Sequence, residues 1–259
     1  MVGLFALLFG VVVYFFSAEE NPVTGETQRV AFEVDEEIEI GLRSRDELAT
    51  RMGGVLPAGH PHARVTRRVG SRLADRLDRR VRSEGRDNPF AFEFHVAGSR
   101  DIVNAVALPG GQIFVTDGLM RLLNSEDQLA AVLAHEMGHV VHRHASERMA
   151  RAKLKAAAGS AVTVASDRER TGWVAGFLSE LTDLRYGRRQ ELESDSYALD
   201  LMADAGYDPT AMSELLDILE RAGGRGGPEF LSTHPHPDSR RDQVEAWIER
   251  SAADAAASE

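Results

Sequence analysis

The stretch "LAAVLAHEMGHVVHRH", residues 129–144, constrains the fold more than any other part of the chain. From His135 to His144 it places four histidines and one carboxylate in ten residues, inside a segment otherwise patterned for burial. Burying an unpaired imidazole or carboxylate costs free energy that only a hydrogen bond, an ion pair or a metal returns. The fold must therefore wrap this segment in apolar structure and still supply partners for its polar groups. Ser125 and Gln128 open it with a capping box, and no proline follows until well past "ASERMARAKLKAAAG". This predicts a single long helix from residue 125 to about 159 with the histidines in its middle.

Residues four apart on a helix lie about 40° apart around its axis, so His135 and His139 project side by side and can reach one ion. Glu136 points to the same side but slightly away, where it can hold a water at the ion rather than the ion itself. This is the HExxH arrangement of zinc peptidases, with two imidazole ligands and a glutamate base. Zinc needs a third protein ligand. The pattern HExxHxxGxxH would supply it locally, but position 142 is His and position 145 is Ala, so that solution fails. A later helix offers "ELESD": Glu191 and Asp195 share a face, so one carboxylate can ligate while the other accepts a ring N–H from His135 or His139. Glu193 falls between them and is expected in solvent. His142 lies about 10 Å along the axis from His135, too far for a shared ion. His144 is expected on the opposite face as a hydrogen-bonded structural residue, and His60, His62 and His95 as surface or satisfied residues.

The first eighteen of the 259 residues, "MVGLFALLFGVVVYFFSA", are uncharged. They predict an uncleaved single-span anchor, with a cleaved signal as the alternative. "SAEENPVTGETQRV" then reads as a polar linker. "HARVTRRVGSRLADRLDRRV" spaces Val65, Val69, Leu73 and Leu77 as an amphipathic helix. "FAFEFHVAGS", "DIVNAVAL" and "GQIFVTDG" read as three short strands. Residues 156–182 predict one or two helices or a lid. A further helix stops at Gly206, and another starts near Asp208 and Pro209. A loop and a last helix end the chain. The net charge of −11 gives no support to nucleic-acid binding. The absence of cysteine removes disulfides and thiolate ligands, and with them a peptide deformylase, which needs a cysteine ligand.

Taken in order, "NPVTGE", "NAVALPGGQIFVTDGL", "LAAVLAHEMGHVVHRH", "RRQELESDSYAL", "AGYDPTAM" and "STHPHPDSRR" resemble the gluzincin metalloendopeptidases. These include the CAAX prenyl endopeptidase and the Oma-type, HtpX-type and BepA-type proteases. The resemblance implies an α+β, mainly helical, zincin-like domain with a small β-sheet beside the HExxH helix. It also implies one Zn²⁺ held by His135, His139 and Glu191, with Glu136 as base and Asp195 behind a ligand. "PGGQIFVT" resembles the strand beside the cleft, so Gly110, Gly111, Gln112, Ile113 and Phe114 are expected along an exposed edge that pairs with extended substrate. His234 of "STHP" falls where the family carries a histidine near the metal, either binding the oxyanion or ligating at rest. Two departures, Ser194 for the usual alanine and Arg241 for an apolar residue, are expected to touch no ligand.

The expected organisation is an anchor or signal at 1–18, a juxtamembrane linker at 19–35, a metallopeptidase domain at 36–252 and a disordered tail at 253–259. The expected activity is zinc-dependent cleavage of unfolded or extended protein substrates in membrane-associated quality control. The alternative is a membrane-tethered chaperone or interaction protein with a latent zinc site. The catalytic domain is expected in the periplasm, anchored or, after signal cleavage, free.

Overall fold

The computed structural model describes residues 18–158, 186–222, 229–235 and 237–257. The expected anchor up to residue 17, and residues 159–182 of the expected lid, lie outside these. Among the described residues no helix is long and apolar enough to cross a membrane.

Strands β1 (Ala18–Glu20) and β2 (Thr27–Arg29) form an antiparallel hairpin. Helices α1 (Val34–Arg51) and α2 (Pro61–Ser83) follow, and α2 buries Val69, Leu73, Leu77 and Val81 along one stripe. A mixed sheet holds β3 (Glu93–Ala97), β4 (Ala105–Ala107) and β5 (Gln112–Thr116). Then come the short α3 (Asp117–Met120), α4 (Glu126–Val141), α5 (His144–Ala158), α6 (Arg188–Ala205), α7 (Ala211–Ala222), α8 (Glu229–Thr233) and α9 (Pro237–Ala257). The last helix runs past 252, into the stretch expected to be a disordered tail.

Helix α4 is the axis of the core. Ser125 Oγ accepts from Gln128 N at 3.1 Å, and every residue from Gln128 to Val141 is buried. A helix apolar on all sides has to be surrounded, and α2, α6, α7 and β4 all pack against it. The approach of α6 is unusually close. A Cβ at Gly138 would lie 2.7 Å from Ser194 Oγ and 3.0 Å from Ser194 Cα, so a side chain there would push the two helices apart.

Three expectations change at this level. The long helix is two helices, because Arg143 adopts a left-handed conformation with φ of 52°. Such a conformation costs a non-glycine residue about 1–3 kcal/mol and persists only where its surroundings hold it. Here they do. The buried guanidinium reaches Glu37 at 2.9 Å, Glu19 at 3.0 Å and the Phe32 carbonyl at 2.7 Å.

The stretch expected as a linker is folded onto the domain. Asn21 Nδ2 donates to the Val141 carbonyl at 2.7 Å and Gln28 Nε2 to the His142 carbonyl at 2.9 Å. The hairpin thus satisfies carbonyls that the end of α4 leaves without helical partners.

The sheet order is β3-β5-β4, so "QIFVT" is the central strand rather than an exposed edge. Gly110, Gly111, Gln112, Ile113 and Phe114 are all buried, and they form no substrate edge. The two glycines instead admit neighbouring backbone: a Cβ at Gly110 would lie 2.4 Å from Ile38 Cα in α1.

Candidate metal centre

Helix α4 carries His135 and His139 one turn apart, α6 brings Glu191, and the residue following α8 is His234. One donor atom from each lies within 4.8 Å of all the others. The two Nε2 atoms of His135 and His139 are 3.0 Å apart, and His234 Nδ1 is 3.1 and 3.3 Å from them. Glu191 approaches His135 at 3.6 Å, His139 at 3.5 Å and His234 at 3.2 Å. All four side chains are at most 3% exposed.

The outer nitrogens of the two α4 histidines are engaged. His135 Nδ1 lies 2.8 Å from Asp195 Oδ1. His139 Nδ1 lies 2.8 Å from His144 Nδ1, and His144 Nε2 lies 3.1 Å from Glu193 Oε2. Because each chain ends on a carboxylate, each contact carries one proton when the protons point outward from the centre. Both Nε2 atoms then present bare lone pairs to one another.

Two acceptors at 3.0 Å repel unless a cation lies between them. Glu136 Oε1 is also buried without a hydrogen-bond partner, and Glu191 Oε2 makes no hydrogen bond beyond its ion pair with Arg240 Nη1 at 3.0 Å. Zinc at about 2.1 Å from each of four tetrahedral ligands sets those ligands about 3.4 Å apart, and the donor separations here run from 3.0 to 3.6 Å. The donor set fits zinc in chemistry and in spacing.

The electrostatics agree. Burial alone would push the His234 imidazole down, yet Glu191 and Glu136 draw it up, so the cluster favours a positive charge at its centre. Burial pushes His139 far down, helped by His135 and His144, which keeps it neutral. Burial would raise Glu191 and Asp195, but His234 and Arg240 hold the first below its ordinary value and Arg240 and His135 hold the second well below.

Glu136 lies beside this group rather than in it, with Oε1 3.5 Å from His234 Nε2. Asp195 stands behind His135 and takes a bidentate contact from Arg240, at 2.6 and 2.7 Å. Arg240 itself is fully buried, and its Nη1 lies 3.0 Å from Glu191 Oε2. Sequence reasoning did not single out Arg240, although it sits only six residues after His234 in "STHPHPDSRR". It also missed Tyr186, whose ring stacks on His139 at 3.8 Å, and Phe230, which stacks on His234 at 4.3 Å.

Other expectations are corrected here. His144 is hydrogen-bonded as expected, but the break at Arg143 brings it beside His139 instead of to the far face. Glu193 is not left to solvent: it bonds His144 and, at 2.8 Å, Arg189. Ser194 does touch a ligand residue, since its Oγ donates to the His135 carbonyl at 2.9 Å. His62 pairs with Asp117 at 2.7 Å, His95 with Gln112 at 3.0 Å, and His60 caps α2. His142 is buried away from the centre, and burial pushes its imidazole down to about 4.

Residues 66–248 match the model of peptidase family M48. The chain is 32% identical over 249 residues to the mitochondrial metalloendopeptidase OMA1 of Schizosaccharomyces pombe, covering 94% of this chain and 70% of that protein. It is 25% identical over 259 residues to the mitochondrial metalloendopeptidase OMA1 of Saccharomyces cerevisiae, covering 94% and 73%. Over 237 residues it is 27% identical to the beta-barrel assembly-enhancing protease of Escherichia coli K12, covering 86% of this chain and 46% of that protein.

Proposed function

Because the chain belongs to peptidase family M48, we propose that it is a zinc-dependent metalloendopeptidase acting on unfolded or extended protein substrates in quality control at a membrane. The observation that carries this reading is the convergence of four buried donor atoms from three separate segments, with Glu136 Oε1 buried beside them and free of any hydrogen bond. His135, His139 and Glu191 would hold the ion, with His234 placed to serve as a fourth ligand at rest. Bound there, zinc supplies a Lewis acid that polarises a peptide carbonyl and lowers the pKa of a water. Glu136 accepts the proton of the attacking water as the new C–O bond forms. The same carboxyl then delivers that proton to the amine nitrogen as the C–N bond breaks. Asp195 and the His144–Glu193 pair hold the ligand imidazoles in the tautomer that leaves Nε2 bare.

The substrate edge is β4 rather than β5. In the antiparallel register Leu108 N donates to the Gln112 carbonyl and Thr116 N to the Asn104 carbonyl. Even-numbered residues therefore bond β5, and the backbone groups of Ala105 and Ala107 point outward. One outward group, the Val103 carbonyl, already accepts from Phe230 N at 3.1 Å, four residues before His234. An extended peptide added along Ala105 and Ala107, both buried in this closed form at 0% and 5% exposure, would continue that line once the site opens. Replacing Ala105 by proline removes an outward N–H and keeps the β5 ladder. It should lower kcat/KM for peptides about threefold to tenfold, as one lost hydrogen bond would, with zinc content unchanged. An unaltered kcat/KM would rule out this edge.

The four side chains of the centre and Glu136 beside them are all buried, and a His234 that fills the fourth ligand position would leave none for a scissile carbonyl, which supports a latent resting state. Opening moves His234 aside, after which its ring can hydrogen-bond the oxyanion. The names of the relatives, a mitochondrial metalloendopeptidase and a protease that enhances β-barrel assembly, support the quality-control role. The uncharged apolar run at residues 1–18 supports attachment to a membrane. The deciding experiment is cleavage of an unfolded polypeptide by the full chain. Activity should vanish on chelation and return with stoichiometric Zn²⁺, and cleavage that ignores the chelator would refute the reading.

A further inference from the structure

A second cluster of ligand-type side chains lies outside the centre, where the β1–β2 hairpin meets the end of α4. A nitrogen of His142 and one carboxylate oxygen each from Glu26 and Glu193 all lie within 4.8 Å of one another. His142 is 8% exposed, and its Nδ1 is buried with no hydrogen-bond partner. A buried ring nitrogen left in that state is rare and calls for an explanation. It faces Glu193 Oε1 at 3.5 Å. That is too long for a hydrogen bond, but it matches the separation of about 3.4 Å between two ligands on one tetrahedral zinc.

The carboxylate of Glu193 is held in position for this. Its Oε2 is committed to His144 Nε2 at 3.1 Å and Arg189 Nη1 at 2.8 Å, which leaves Oε1 turned toward His142. The Arg189 charge opposes a cation, but it is shared with Glu147 at 2.7 Å. Glu26 is placed by the hairpin: Asn21 N donates to the Glu26 carbonyl at 2.8 Å, while the Asn21 and Gln28 side chains fasten the hairpin to the last carbonyls of α4. The side chain of Glu26 itself is exposed, so water can complete the coordination.

We propose that Glu26, His142 and Glu193 form a second Zn²⁺ site, separate from the one at His135, His139 and Glu191. Imidazole nitrogen and carboxylate oxygen are both zinc donors, so this set can hold Zn²⁺ with water completing the shell. The bound ion clamps the N-terminal hairpin to α4 and α6.

The test uses the full chain in detergent, stripped of metal and titrated with chelator-buffered Zn²⁺, with bound metal counted after dialysis. The wild type should take two equivalents. His135→Asn should lose the equivalent that belongs to the first centre, whereas Glu26→Gln and His142→Asn should each lose the other. The second equivalent should also raise the Tm of the wild type and not that of Glu26→Gln. The proposal is overturned if the wild type takes a single equivalent, or if the second binds either variant with unchanged affinity. Should His142→Asn fail to fold, the exposed Glu26→Gln decides alone.

Discussion

Replacing Glu136 by glutamine is expected to lower peptide hydrolysis by about 10²–10⁴-fold, the range for loss of a general acid–base group, while bound zinc stays at the wild-type level. The two halves of this result have separate structural causes. Glu136 is not one of the four side chains whose donor atoms converge, so the amide leaves the ligand set intact. Its Oε1 is nonetheless buried with no hydrogen-bond partner, aimed toward the space that His234 Nε2 also faces. Glutamine fills the same volume but cannot accept and return a proton. Cleavage of an unfolded substrate measured beside metal content checks both halves. Normal cleavage by a fully loaded variant would remove Glu136 from the mechanism, and loss of metal would make it a ligand instead.

The second large effect concerns stability. Arg240→Met is expected to cost about 3–5 kcal/mol, as removal of one partner from a buried ion pair does. The methionine chain is close in volume, so the loss is electrostatic rather than a cavity. It leaves Asp195 and Glu191, both 0% exposed, without the guanidinium that contacts both. Asp195 would lose the stronger of the two partners that hold it below its ordinary value, leaving His135 alone to oppose the upward push of burial. Denaturant unfolding of the chelated protein measures the cost. Adding Asp195→Asn to Arg240→Met should recover part of it, because the double variant buries fewer uncompensated charges. A single variant as stable as wild type would show that the contact is not what balances the two carboxylates.

The core of the site is legible in the residues because its parts are local. His135, Glu136 and His139 follow from helical spacing, and Glu191 with Asp195 from the same rule applied to "ELESD". The three strands are legible from composition, yet their order is not, since pairing is decided between segments. One local clue did exist: Ile113, Phe114 and Val115 are consecutively apolar, without the alternation of a strand that faces solvent, and all five residues of β5 are buried. The break after α4 leaves no such clue. Neither His142 nor Arg143 is a helix breaker, and the groups that hold Arg143 in its left-handed conformation, Phe32 and Glu37, lie over a hundred residues away in the chain. The neighbours of His144 therefore could not be deduced from its position on an unbroken helix. Arg240 escaped for a related reason, because an arginine beside another in a polar helix start reads as solvated.

Arg143 has a consequence best described in mechanical terms. Its side chain ties together the first strand through Glu19, the entry to α1 through Phe32 and α1 itself through Glu37. Its backbone is the joint between the helix that carries His135 and His139 and the residue that supports His139. A force applied to the chain near residue 19 thus has a short load path, through one guanidinium, to a corner directly adjoining the reactive centre. The left-handed corner at Arg143 lies on that path, between the first strand and the helix that carries His135 and His139.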